Sequence, residues 1–134
     1  MGQLGLGVMI QMLGGSSETV TAIKSKLNIT FDRVELRDDV LTFHYDDDSE
    51  LRLWDGGQSC CESRYMIVDD KLEYFAGAKI LDVQIRSADS IPTEYKEHEI
   101  QFLDVTTDKG VIQACTHNEH NGYYGGFWIQ AEVR

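Results

Sequence analysis

From Ile29 onward, apolar and polar residues alternate with a period of two, the pattern of strands that bury one face. Three short runs carry it first: Ile29 to Leu36, Val40 to Tyr45 and Glu50 to Asp55. Leu41, Phe43 and Tyr45 alternate with Thr42 and His44, and Leu51 and Leu53 alternate with Arg52 and Trp54. The breaks between the runs, Arg37-Asp38-Asp39 and Asp46-Asp47-Asp48-Ser49, are polar turn formers. This predicts a β-meander with one buried face.

Upstream, Gly14-Gly15-Ser16-Ser17 is a flexible break. Ser17 can cap a short helix with Val20, Ile23 and Leu27 on one side, although the Thr and Val residues there also suit a strand. Downstream, Asp69-Asp70 is expected to cap a short helix with Leu72, Phe75 and Ala76 as its apolar side, stopped by Gly77. Ile80 to Arg86 reads as a strand with Leu81, Val83 and Ile85 facing one way. After a loop that holds Pro92, the last strands are Tyr95 to Thr106, Gly110 to His117 and Gly125 to Val133. Thr107-Asp108-Lys109-Gly110 has the chemistry of a hairpin turn. The expected fold class is α+β: a mainly antiparallel sheet of about six or seven strands with one or two short helices. Residues 29–134 form the single domain, and residues 1–28 an N-terminal extension.

Composition narrows the class of partner. The chain has 134 residues, 12 Lys and Arg against 23 Asp and Glu, and a formal net charge of -11. Nucleic-acid phosphate and anionic membranes therefore have no electrostatic reason to bind it. The apolar segment 4–13, LGLGVMIQML, is too short to span a bilayer and has no basic residue before it. It reads as a helix or oligomerisation segment that makes a homo-oligomer one expected state. Three cysteines, two of them adjacent, give no disulfide framework, so a reduced cytoplasmic location is expected.

Several segments taken together resemble a small domain of unknown function found in phage and bacterial proteins. They are Asp55-Gly56-Gly57-Gln58-Ser59-Cys60-Cys61-Glu62-Ser63, Ala78 to Val83, Thr107 to Gly110 and Asn121-Gly122-Tyr123-Tyr124-Gly125-Gly126. The resemblance spans roughly Ile29 to Glu132. It implies a compact domain and carries no activity over.

The unusual chemistry lies in two loops. Cys60, Cys61, Cys115, His117 and His120 are a metal-ligand set by residue type, but adjacent cysteines chelate one ion poorly and no CxxC occurs. One cysteine of the pair packing as a small hydrophobe is the favoured reading, with no cofactor. A thiol nucleophile at Cys60 or Cys61 would need a His base, for which His117, His120, His44 and His98 are candidates with Asn118 or Asn121 as orienter, and Glu62, Asp55 and the overall charge oppose the thiolate. Tyr123 and Tyr124 offer flat faces beside the turn formers Asn121 and Gly122. Arg64, next to Tyr65, suits a carboxylate or phosphate, or one of the many neighbouring acids. Neither GxGxxG nor GxxxxGK[ST] occurs.

The leading expectation is a non-enzymatic binding module. It would take a small molecule or a protein through Cys60, Cys61, Glu62, Arg64, Tyr65, His117, Asn121, Tyr123 and Tyr124. An acidic inhibitor or decoy of a nucleic-acid-binding protein is the alternative, and a Cys/His metal- or thiol-dependent enzyme the third.

Overall fold

A computed structural model of the chain describes residues 17–57, 63–87, 91–92, 97–120 and 127–134. Helix α1 (Ser17–Ser25) comes first. Its Glu18 and Lys24 sit at the ends that favour their charges, and Val20 and Ile23 are buried. The meander follows as β1 (Arg33–Arg37), β2 (Val40–His44) and β3 (Glu50–Asp55). Asp38 and Asp39 between β1 and β2 both have positive φ (53° and 63°), the backbone of the tight hairpin turn that matches strand twist.

The chain then leaves that sheet. Strand β4 (Ser63–Val68), a 3-10 turn (Leu72–Phe75), β5 (Ile80–Ser87), a two-residue β6 (Ile91–Pro92), β7 (Glu97–Thr107), β8 (Gly110–His120) and β9 (Ile129–Val133) complete it. Strand β9 returns to the first sheet, in the order β1-β2-β3-β9. The second sheet runs β4-β8-β7-β5, with β6 on β7. All pairings are antiparallel. The expected single sheet is therefore two sheets, and nine strands are found among the described residues. Sheet membership is decided by long-range pairing, which local alternation does not encode.

One core serves both sheets and the helix. Phe31, Phe43, Leu41, Leu51 and Leu53 meet Ile80, Val83, Leu103, Ile112 and Ala114, and Val20 and Ile23 of α1 belong to the same cluster. Phe31 and Phe43 pack edge to face at 4.9 Å, a favourable aromatic geometry. The segment read as an extension thus contributes its helix to the core. Thr19 Oγ1 accepts from the Ala131 N–H on the outer edge of β9, so the helix covers that strand edge.

Two local readings differ. The residue before the 3-10 turn is Lys71 and no side chain caps it. Asp70 instead accepts from the Gln113 N–H on β8. Leu81 is 41% exposed while Val83 and Ile85 are buried, because the register shifts between Ile80 and Asp82. A bulge of this kind turns one residue out of alternation. The hairpin at Thr107-Gly110 forms as expected, with Thr107 Oγ1 accepting from the Lys109 N–H and donating to the Gly110 carbonyl.

Candidate functional site

The two loops of interest leave the fold at neighbouring places. In β4, Ser63 opposes Glu119 and Tyr65 opposes His117 of β8. In the other sheet, Asp55 at the end of β3 opposes Ile129 at the start of β9. The strands that lead into and out of both loops therefore converge.

One carboxylate ties these ends. Asp55 Oδ1 accepts from the Gly57 N–H at 3.1 Å, the Trp128 N–H at 2.9 Å and Arg64 Nη1 at 3.0 Å. Arg64 Nη1 also lies 2.8 Å from Asp55 Oδ2. Both side chains of the pair are 8% exposed. Gly57 and Arg64 flank the Cys60-Cys61 loop, and Trp128 follows the Tyr123-Tyr124 loop. A cavity of about 20 Å³, lined by Asp39, Asp55, Arg64, Tyr65 and Met66, lies beside the pair. That is room for roughly one water. Arg64 is thus a positioning group within the frame, its guanidinium turned to Asp55.

Strand β8 carries different chemistry on its two faces. Ile112, Ala114, Thr116, Asn118 and His120 are buried on the inner face, which turns from apolar to polar toward the loop end. His120 Nε2 is 2.6 Å from Glu99 Oε1. Cys115, His117 and Glu119 lie on the outer face. His117 and His120 therefore point to opposite sides of the sheet, and they cannot hold one metal ion together. No group of three or more His, Cys, Asp or Glu suited to a metal occurs among the described residues. Burial, and then the Asp69 charge, push the Cys115 thiol up, away from thiolate.

On that outer face the Tyr65 ring stacks on the His117 imidazole at 4.6 Å and 7°. Tyr65 donates its hydroxyl to Glu119 Oε2 at 2.7 Å. His98 Nε2 meets His117 Nδ1 at 2.8 Å. Sequence reasoning placed Tyr65 and His117 in the site and named His98 as a possible base, but missed Asp55 as the knot, Glu119, and the contact of His98 with His117. The signal for His98 was present: pairing Thr107 with Gly110 sets His98 opposite Glu119 and diagonal to His117. Cys60, Cys61, Glu62, Asn121, Tyr123 and Tyr124 lie outside the described residues.

Elsewhere, the outer face of the first sheet forms a groove lined by Arg33, Arg37, Arg52 and Arg134 together with Glu35, Glu50 and Glu132. Three of its arginines are paired within it: Arg33 with Glu35, Arg52 with Glu50 and Arg134 with Glu132. No helix among the described residues is long and apolar enough to cross a membrane.

The fold and site thus define a small, mainly β domain with a shared loop-bearing end. The chain belongs to the family described as a domain of unknown function, DUF7448, which matches residues 19–128. The match begins inside α1, earlier than the Ile29 boundary expected from the motifs. No curated protein and no solved structure matches the chain.

Proposed function

We propose that this chain is a non-enzymatic binding module whose working surface is the end of the fold where the segments Asp55 to Tyr65 and His117 to Gly126 are rooted. The observation that carries this reading is the knot at Asp55, which holds the flanks of both loops on one carboxylate. A buried ion pair gives little net stability over a well-packed apolar pair, so its value lies in fixing a geometry. Here the geometry fixed is the spacing of Gly57, Arg64 and Trp128, which flank two segments rich in groups that a plain hairpin does not need. The polar inner end of β8 supports the same reading, since a core built only for packing would stay apolar there.

The ligand class is a small polar molecule with a ring. Tyr123 and Tyr124 would meet its face, and the glycine amides of 122, 125 and 126 its polar edge. Thermal-shift screening of the full chain against metabolites and nucleotides identifies hits, and amide chemical-shift mapping then locates each one. Shifts concentrated at 55–65 and 117–128 support the reading. Shifts confined to the arginine-lined groove of the first sheet overturn it. If only a basic protein binds, with affinity falling steeply in salt, the acidic decoy takes its place.

A further inference from the structure

The chain has four histidines, and the structure sorts them into two kinds. His44 faces Glu35, and His120 faces Glu99. The other two, His98 and His117, face each other across β7 and β8 at 2.8 Å. From this convergence we infer that His98 Nε2 and His117 Nδ1 form a two-imidazole site for a borderline divalent transition-metal ion, Cu²⁺ or Ni²⁺ above Zn²⁺.

The geometry is close to what chelation needs. Cu²⁺ and Ni²⁺ prefer tetragonal sites, in which cis imidazole nitrogens about 2.0–2.1 Å from the ion stand about 2.9 Å apart. The pair stands at 2.8 Å with ring centroids 5.0 Å apart, the end-on arrangement of a hydrogen bond, so the separation already fits and each ring has to turn its nitrogen toward a shared ion. The His117 ring is already oriented: it stacks on Tyr65, and Glu119 holds the Tyr65 hydroxyl. Such outer contacts orient ligand imidazoles and set their affinity. Both imidazoles bind a metal ion in the neutral form, so binding releases any proton they carry. Imidazole nitrogen selects Cu²⁺, Ni²⁺ and Zn²⁺ over Mg²⁺ and Ca²⁺, with Cu²⁺ tightest.

The test uses the untagged full-length protein at neutral pH, titrated with Cu²⁺ and Ni²⁺ by calorimetry. One ion per chain is expected, with affinity lowered at least about tenfold by His98→Gln or His117→Gln and unchanged by His44→Gln. Cu²⁺ electron paramagnetic resonance on the unmutated protein provides a readout that needs no variant, and two nitrogen ligands are expected. Absence of saturable binding overturns the inference. So does binding that both variants leave intact, or a spectrum with fewer than two nitrogens.

Discussion

The Asp55 carboxylate and the Arg64 guanidinium meet at 2.8 Å in a buried pair, and the same carboxylate accepts the Gly57 and Trp128 amides. The pair therefore joins the end of β3, the start of β4 and the approach to β9. Replacing Asp55 by Ala takes the carboxylate away from a buried guanidinium and the shared acceptor away from two amides. It should cost about 3–5 kcal/mol. Asp55→Leu combined with Arg64→Met should cost much less, because no charge is left stranded. Urea denaturation of the two variants checks the order, and equal losses would count against the knot.

Glycines 56 and 57 separate by what a Cβ would strike. At Gly57 it would lie 2.8 Å from Arg64 Nη1, which Asp55 pins. At Gly56 it would lie 2.7 Å from the Gln130 amide, the far end of a flexible side chain that can swing aside. Gly57→Ala should therefore destabilise by about 1–3 kcal/mol and Gly56→Ala by clearly less. Denaturation midpoints of the two variants decide it.

Asp38 and Asp39 share a left-handed turn but differ in partners. Asp39 Oδ1 accepts from the Met66 N–H of β4, a link from the first sheet to the second. Asp38→Gly relieves the positive φ and should stabilise by a few tenths to about 1 kcal/mol. Asp39→Gly gives the same backbone relief but loses the Met66 acceptor, so its net change should be destabilising, by about 1 kcal/mol or less. Thermal unfolding of the pair should show shifts of opposite sign.

His117 is held below 6.5 by burial and by the His98 charge. A lowered imidazole value means the folded state binds fewer protons than the unfolded chain. The corresponding stability is present above about pH 6.5 and is lost as pH falls through the folded value. Imidazole NMR titration should place His117 below its ordinary value in the native protein. His98→Ala should move it upward by removing the like charge and admitting water. A His117 that does not move would show that burial alone sets it.

Glu35 is also held low, first by its hydrogen bond to His44 and then by Arg33. Its contribution is present above about pH 4.5 and fades as pH falls through the lowered value. His44→Gln should raise the Glu35 midpoint in a carboxyl-carbon NMR titration.

The meander was legible because alternation is a local property. Leu41, Phe43, Leu51 and Leu53 all face the core as their period of two requires. The two-aspartate turn and the hairpin at Thr107-Gly110 were legible for the same reason, since backbone preference of a few residues sets them. From that hairpin alone, counting outward places His98 diagonal to His117, and strand parity puts His117 and His120 on opposite faces.

What the chain's own order of residues determined, then, was each strand, its buried side and its tight turns. The partition into two sheets, the bulge that exposes Leu81, and the gathering of Gly57, Arg64 and Trp128 on Asp55 were decided by tertiary structure. Residues 55 and 128 lie far apart in the chain, and a carboxylate among 23 acids carries no mark of its partner. Only the packing of the two sheets, which removes water from Asp55, decides which of those acids must find an arginine and two amides.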